Sequence, residues 1–172
     1  MTEHPLALLA DAVAANVLLD ALETSRRLAE LSIPHALIGG LAVGVYGHPR
    51  ATKDVDFLVG NEAFSCMTPI LVYRDELRDC VRAGEIDLMP LPSDHPELSE
   101  HLRVPAADEV PVIPTSALVL LKLIANRPQD RADVIALLDV GADVAKITAY
   151  LRKHAPDLMS VFAELAQDSA SS

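Results

Sequence analysis

The stretch His35-Ala-Leu-Ile38-Gly39-Gly40-Leu41-Ala-Val-Gly-Val-Tyr46-Gly47-His48-Pro49-Arg50-Ala-Thr52-Lys53-Asp54-Val55-Asp56-Phe57-Leu58-Val59 decides the fold of this chain. His35 to Ile38 is a short apolar run that reads as a strand, closed by the glycine pair. Leu41 to Tyr46 holds small residues and suits a short helix packed closely on that strand. Gly47-His48-Pro49 breaks the helix. Val55 to Val59 is again an apolar strand pattern, with a carboxylate in its middle. Strand, glycine turn, short helix and strand therefore follow one another within 25 residues.

Outward from this unit, Leu6 to Leu31 reads as one helix. Leu18, Leu19, Leu22, Leu28 and Leu31 recur near a 3.6-residue period, and Arg26, Arg27 and Glu30 take polar positions. Pro34 ends it. Ile70 to Tyr73 and Glu85 to Met89 read as two further strands, and the proline-rich segment Pro90 to Pro114 as an irregular connector. Thr115 to Asn126 returns to helix, with Thr115 or Ser116 as N-cap. Gln129 to Leu138, Val144 to His154 and Leu158 to Ala166 predict three more helices, and the tail Asp168 to Ser172 is expected to fray. The expected class is α+β, a small mixed sheet flanked by helices with a helical C-terminal portion. Residues 1–114 form the expected core and 115–172 the helical portion packed on it, as a single compact unit.

The 172 residues are 51% apolar, enough for a real core, but only 3% aromatic and without tryptophan. That removes the stacking platform of a single-strand nucleic-acid binder. The net charge of -11 repels a polyanion over most of the surface. Cys66 and Cys80 lack metal-ligand spacing and are expected as free, buried thiols in a reducing compartment. The six histidines are scattered, so no histidine metal site is expected. The N-terminus has no basic and apolar leader pattern, and no apolar run is long enough to span a membrane. A cytoplasmic chain is expected.

Asp54 and Asp56, two apart on a strand, project to one face. Side by side they raise each other's pKa unless a cation stands between them, and magnesium suits such oxygen ligands. Two such ions can clamp the attacking and leaving oxygens of a phosphoryl displacement. Gly39 and Gly40 open a helix with unobstructed backbone amides, which suits phosphates. Asp87, alone among the apolar residues of Glu85-Ile86-Asp87-Leu88-Met89, supplies a third carboxylate. Each part also has a plain reading, as a turn, a solvated strand edge or an exposed strand residue. Their combination in this order favours chemistry.

Gly39-Gly40, then Arg50-Ala-Thr52-Lys53-Asp54-Val-Asp56, then Asp87 resemble the polymerase-beta-type nucleotidyltransferase superfamily. The nearest likeness is to its AbiEii/MenA-type toxin group and to the minimal nucleotidyltransferases of defence modules. It spans roughly Leu28 to Leu138. The resemblance implies that Gly39 and Gly40 hold triphosphate, Asp54 and Asp56 hold magnesium, and Asp87 completes the triad. Thr52 and Lys53 would flank the phosphates. A later block, Lys122-Leu-Ile-Ala125-Asn-Arg127-Pro-Gln-Asp130-Arg-Ala-Asp133, is similar to the group's Lys-Leu-x-Ala helix followed by Asp-x-x-Asp. Lys122 would reach phosphate as a point charge. The alternative is that Lys122, Arg127, Asp130 and Asp133 pair with one another between helices. Two features depart from the family pattern: Gly40 replaces a serine, and the segment between Val59 and Glu85 is short.

The implied activity is transfer of a nucleoside monophosphate from a nucleoside triphosphate to an acceptor hydroxyl, with two magnesium ions. The acidic chain favours a protein or a cationic small molecule as acceptor over nucleic acid. A toxin-antitoxin or defence setting would add a partner protein. The alternatives are a non-catalytic partner that retains the fold, and a small-molecule enzyme of the aminoglycoside-modifying kind. Asp94, Glu97 and Glu100 would line the acidic cleft that such an enzyme needs, and solvated carboxylates are expected there instead.

Overall fold

A computed structural model describes residues 5–81, 85–106 and 108–171. Strand β1 (His35–Leu37) runs antiparallel to β2 (Val55–Val59), and β2 runs parallel to β5 (Ile86–Pro90), giving a mixed three-stranded sheet in the order β1-β2-β5. A separate two-stranded hairpin joins β3 (Phe64–Cys66) to β4 (Val72–Tyr73). Helix α1 (Ala15–Glu30) precedes the sheet, and α2 (Gly39–Val45) connects β1 to β2. Helices α3 (Thr115–Ala125), α4 (Pro128–Asp139), α5 (Val144–His154) and α6 (Met159–Ala170) complete the chain. The class is α+β, a small mixed sheet flanked by helices with a helical C-terminal portion.

β2 is central in the strand order and lies between two cores, so both of its faces are covered and it reads as a near-continuous apolar run. Successive side chains alternate between two cores. Val55, Phe57 and Val59 pack in the core shared with α1, whereas Leu58 packs with Ala36, Ile38 and the C-terminal helices. Asp56 has the parity of Leu58. It therefore stands on the helical side of the sheet as the one β2 residue that is not fully buried.

α1 buries Val17, Ala21, Thr24, Ser25 and Leu28, a stripe at three- and four-residue spacing. It stops because Ser32 adopts a left-handed conformation (φ 56). The Ile33 amide then reaches the Leu28 carbonyl and the Ser32 amide the Ala29 carbonyl, the two-bond C-cap that satisfies terminal carbonyls. α3 is buried on nearly every side, from Ser116 through Leu123, and forms the axis of the helical portion.

Several expectations are corrected. The single helix over Leu6–Leu31 is two elements: a 3-10 helix at Pro5–Leu9, then α1. The break folds Leu9 back onto Gly44 of α2, where a Cβ would lie 2.8 Å from the Leu9 Cδ2. Local helix propensity yields there to tertiary packing. α2 starts at Gly39 rather than Leu41. β3 was not expected, and β4 takes only the last two residues of Ile70–Tyr73. The connector carries a 3-10 helix at Pro96–His101 and then runs along the outer edge of β1. There the Leu37 amide donates to the Pro111 carbonyl and the Ile113 amide to the Leu37 carbonyl. That covers an edge that would otherwise present unpaired backbone groups. Neither Thr115 nor Ser116 caps α3. Pro114 takes the cap position without a side-chain bond, and its carbonyl accepts from Leu118. α6 runs on through Asp168 to Ala170 because the Ser169 hydroxyl donates to Asp139 of α4. Cys66 is exposed, because β3 lies at the surface, and Cys80 is half-buried; neither is in a disulfide, and neither is the fully buried thiol expected. Met1 to His4, Ala107 of the connector and Ser172 of the tail lie outside the described residues.

Among the described residues, no helix is long and apolar enough to cross a membrane.

Candidate functional site

The site begins with Gly39. Its φ of +67 lies in the left-handed region that favours glycine, and a Cβ built there would overlap the Asp56 carboxylate. The Ile38 amide donates to the Asp56 carbonyl at 2.9 Å, which pins the turn to β2. Gly40 is packed less tightly on its other side. A Cβ would lie 3.1 Å from Arg50 Nη2 and 3.3 Å from Thr52 Oγ1. Gly39 is thus required by its backbone conformation and by the Asp56 carboxylate, whereas a side chain at Gly40 would press on the guanidinium of Arg50 and the hydroxyl of Thr52.

Asp56 and Asp87 are direct register partners on the parallel strands β2 and β5. Leu88, next to Asp87, packs on the α1 side, so Asp87 and Asp56 share the opposite face. β5 ends the sheet, and Asp87 and Met89 are exposed along it. Asp54 lies one residue before β2 begins and is exposed, so it is not part of the strand as expected. Its amide donates a long 3.4 Å hydrogen bond to Thr52 Oγ1. Lys53 is exposed. Burial, then the charges of Asp87 and Asp54, push the Asp56 carboxyl above the usual carboxylate range, while Lys122 and Arg127 pull it down. An accumulation of negative charge that a cation would relieve is therefore built into the sheet edge.

α3 and α4 face this edge. Asn126, left-handed at φ 48, ends α3, and Pro128 opens α4 only two residues later. The tight turn brings Lys122, Arg127, Asp130 and Asp133 together. Lys122 Nζ donates to Asp130 at 2.9 Å and to Asp133 at 2.7 Å, and all three are almost fully buried. Arg127 Nε donates to Asp130 at 2.6 Å. Gln129 and a two-pronged Arg50 (3.1 and 3.2 Å) complete the surroundings of Asp133. Burial opposes ionisation of Asp130 and Asp133, but these cations outweigh it and hold both carboxyls below the usual range. The alternative of mutual ion pairing describes the geometry of this block. Lys122 is buried against two carboxylates rather than presented to an open face.

The structure thus gathers Gly39, Gly40, Thr52, Asp56 and Asp87 around one turn and one sheet edge, with Asp54 at its rim. Among the described residues, no group of three or more His, Cys, Asp or Glu side chains is arranged to hold a metal ion. Asp54, Asp56 and Asp87 are therefore neighbours in charge without forming a closed ligand set. Two cavities lie elsewhere. One of about 290 Å³ sits between α1 and residues 105–109, and one of about 340 Å³ between α5 and the 96–101 turn. Asp94 is exposed and Glu97 is tied to His95 at 3.1 Å, so Glu97 is not simply a solvated carboxylate.

Two neighbours of the site escaped sequence reasoning. Arg50 stands in the quoted stretch, yet nothing local signals its partner 83 residues away on α4. Tyr73 of β4 donates its hydroxyl to the Leu88 carbonyl at 2.9 Å, fastening the hairpin beside Asp87. Burial, then Asp87, raises the Tyr73 pKa. No family model matches the chain, and no curated protein matches it.

Proposed function

We propose that the chain is a nucleotidyltransferase that moves a nucleoside monophosphate from a nucleoside triphosphate to an acceptor hydroxyl. The observation that carries this reading is the register pairing of Asp56 with Asp87 beside a glycine turn that leaves no room for a side chain against Asp56. Two carboxylates that share one face of adjacent parallel strands, with a third at the rim, are costly neighbours without a cation.

Magnesium fits by donor chemistry, since Asp54, Asp56 and Asp87 offer only carboxylate oxygens. When bound there it would supply charge neutralisation at the phosphates and at the attacking oxygen. The glycine turn, Thr52 and Lys53 would orient the triphosphate. The acceptor oxygen forms a bond to the α-phosphorus, the bond from that phosphorus to the pyrophosphate oxygen breaks, and the hydroxyl proton passes to Asp87. Most of the rate in this scheme comes from positioning and charge.

A protein or a cationic small molecule is the favoured acceptor. The net charge of -11 opposes a polyanion, and the hairpin fastened beside Asp87 has no charged residue from Phe64 to Tyr73 while exposing Met67, Ile70, Leu71 and Val72. The family resemblance adds a toxin or defence setting with a regulating partner protein.

The test is a thermal-shift titration with each nucleoside triphosphate, with and without magnesium, on wild type, Asp54→Ala and Asp56→Asn. Magnesium-dependent stabilisation by at least one triphosphate is expected in wild type and is lost in both variants. The raised Asp56 pKa means that its ionised form costs stability above that pKa. Free Asp56→Asn is therefore expected to melt above wild type at pH 7. Absence of any triphosphate shift in wild type would overturn the reading and favour a non-catalytic partner protein.

A further inference from the structure

Among the described cations around the glycine turn, Arg50 combines a fixed position and an unengaged donor with direct packing on the turn itself. Lys122 has two carboxylates within 2.9 Å and a side chain 8% exposed. Arg127 pairs with Asp130 through Nε and Nη2, but its side chain is 73% exposed and none of its atoms is among those nearest a Cβ at Gly39 or Gly40. Arg50 spends Nε and Nη2 on Asp133, but its side chain remains 28% exposed, and no hydrogen bond to a described residue engages Nη1. Nη2 also lies 3.1 Å from where a Cβ of Gly40 would stand, so the guanidinium rests directly on the turn.

A planar fork can pair with a carboxylate along one edge and offer its remaining N–H groups to a second anion, which a single ammonium does less well. Asp133 is itself held by Lys122 and Gln129, so it fixes the fork as a rigid strut would. The orientation of Arg50 is therefore settled before any ligand arrives, and little side-chain entropy remains to be lost on binding.

We infer that Arg50 is the cation that contacts the phosphates of the nucleotide at the Gly40 turn, and that Lys122, assigned that contact by family resemblance, is an internal strut that holds Asp133 and through it Arg50. This rests on the proposed triphosphate site and adds the residue that reads its charge. Asp133, 83 residues along the chain from Arg50, becomes a positioning residue.

The experiment is calorimetric titration of the whole chain with inorganic tripolyphosphate and magnesium, for wild type, Arg50→Gln, Arg50→Lys and Arg131→Gln. Arg131 pairs with Glu164 between α4 and α6 and donates a long hydrogen bond to Asn126, and its replacement removes one positive charge without touching the glycine turn. Arg50→Gln is expected to weaken tripolyphosphate binding about tenfold or more, the scale of one charge-assisted hydrogen bond. Arg50→Lys is also expected to weaken it, since one ammonium is drawn to Asp133 as Lys122 is. Arg131→Gln should bind as wild type does. If Arg50→Gln melts below the assay temperature, Arg50→Lys decides. Equal affinity in a folded Arg50 variant overturns the inference alone. No tripolyphosphate binding by wild type overturns the site and the inference together.

Discussion

His35 shows how a single buried side chain sets a pH limit on this molecule. It is fully buried on β1, with Nε2 2.7 Å from the Ser25 hydroxyl of α1 and Nδ1 2.8 Å from the Ile33 carbonyl. Nδ1 faces a carbonyl, so it carries the proton, and the ring is neutral in the folded chain. Burial lowers its pKa, the Ile33 carbonyl works the other way, and Arg103 lowers it further. The folded pKa is below the unfolded value of about 6.5. The stability that neutral His35 contributes is therefore complete above that value and is lost as the pH falls through it toward the folded pKa. Urea unfolding of wild type between pH 8 and pH 5 should show falling stability below about pH 6.5. His35→Gln can still accept from Ser25, and it should flatten that part of the profile. An unchanged slope in the variant would assign the acid sensitivity to other groups.

At the scale of elements, the two-residue turn between α3 and α4 does more than reverse the chain. It places Lys122, Asp130 and Asp133 in one buried cluster, with both carboxylates 1% exposed, and Arg127 of the turn and Arg50 reach it from the more exposed side. Such a cluster adds little over apolar packing, but removing one member strands a buried charge. Lys122→Met should therefore lower unfolding free energy by about 3 kcal/mol, read from urea midpoints at unchanged slope. A loss under about 1 kcal/mol, the scale of an exposed pair, would show that Asp130 and Asp133 are adequately held by the arginines alone. The exposed pairs Arg26–Asp108 and Arg78–Asp75 make a useful contrast, because solvent screens them.

For the whole molecule, the sheet lies between two apolar cores. One joins it to α1. The other joins Ala36, Ile38 and Leu58 to α3, α4, α5 and α6. The second core cannot close without the C-terminal helices, and these also supply Lys122, Arg127 and Asp133 to the neighbourhood of Asp56. A fragment of residues 1–114 would leave Ile38, Leu58 and Leu98 facing water. It is expected to lose cooperative melting by circular dichroism. A fragment that melts cooperatively would show that the α1 core suffices for independent folding.

Local pattern was enough for most elements. The run Val55 to Val59, the periodicity around Leu28 and the span Val144–His154 were legible because strand and helix periods are written in consecutive residues. The glycine pair and the three carboxylates were legible for the same reason. The break before α1, the hairpin strand β3 and the path of the connector along β1 were not, since each depends on a partner distant in the chain. Leu9 meets Gly44, Phe64 pairs with Tyr73, and Pro111 accepts from Leu37. Sequence by itself determined which residue types stand at the sheet edge and in what order. Only the tertiary structure decided that Asp56 faces Asp87 in register, that Lys122 is enclosed by carboxylates and that Arg50 lies on the glycine turn. Those relations come from strand register and helix packing, which join residues far apart in sequence.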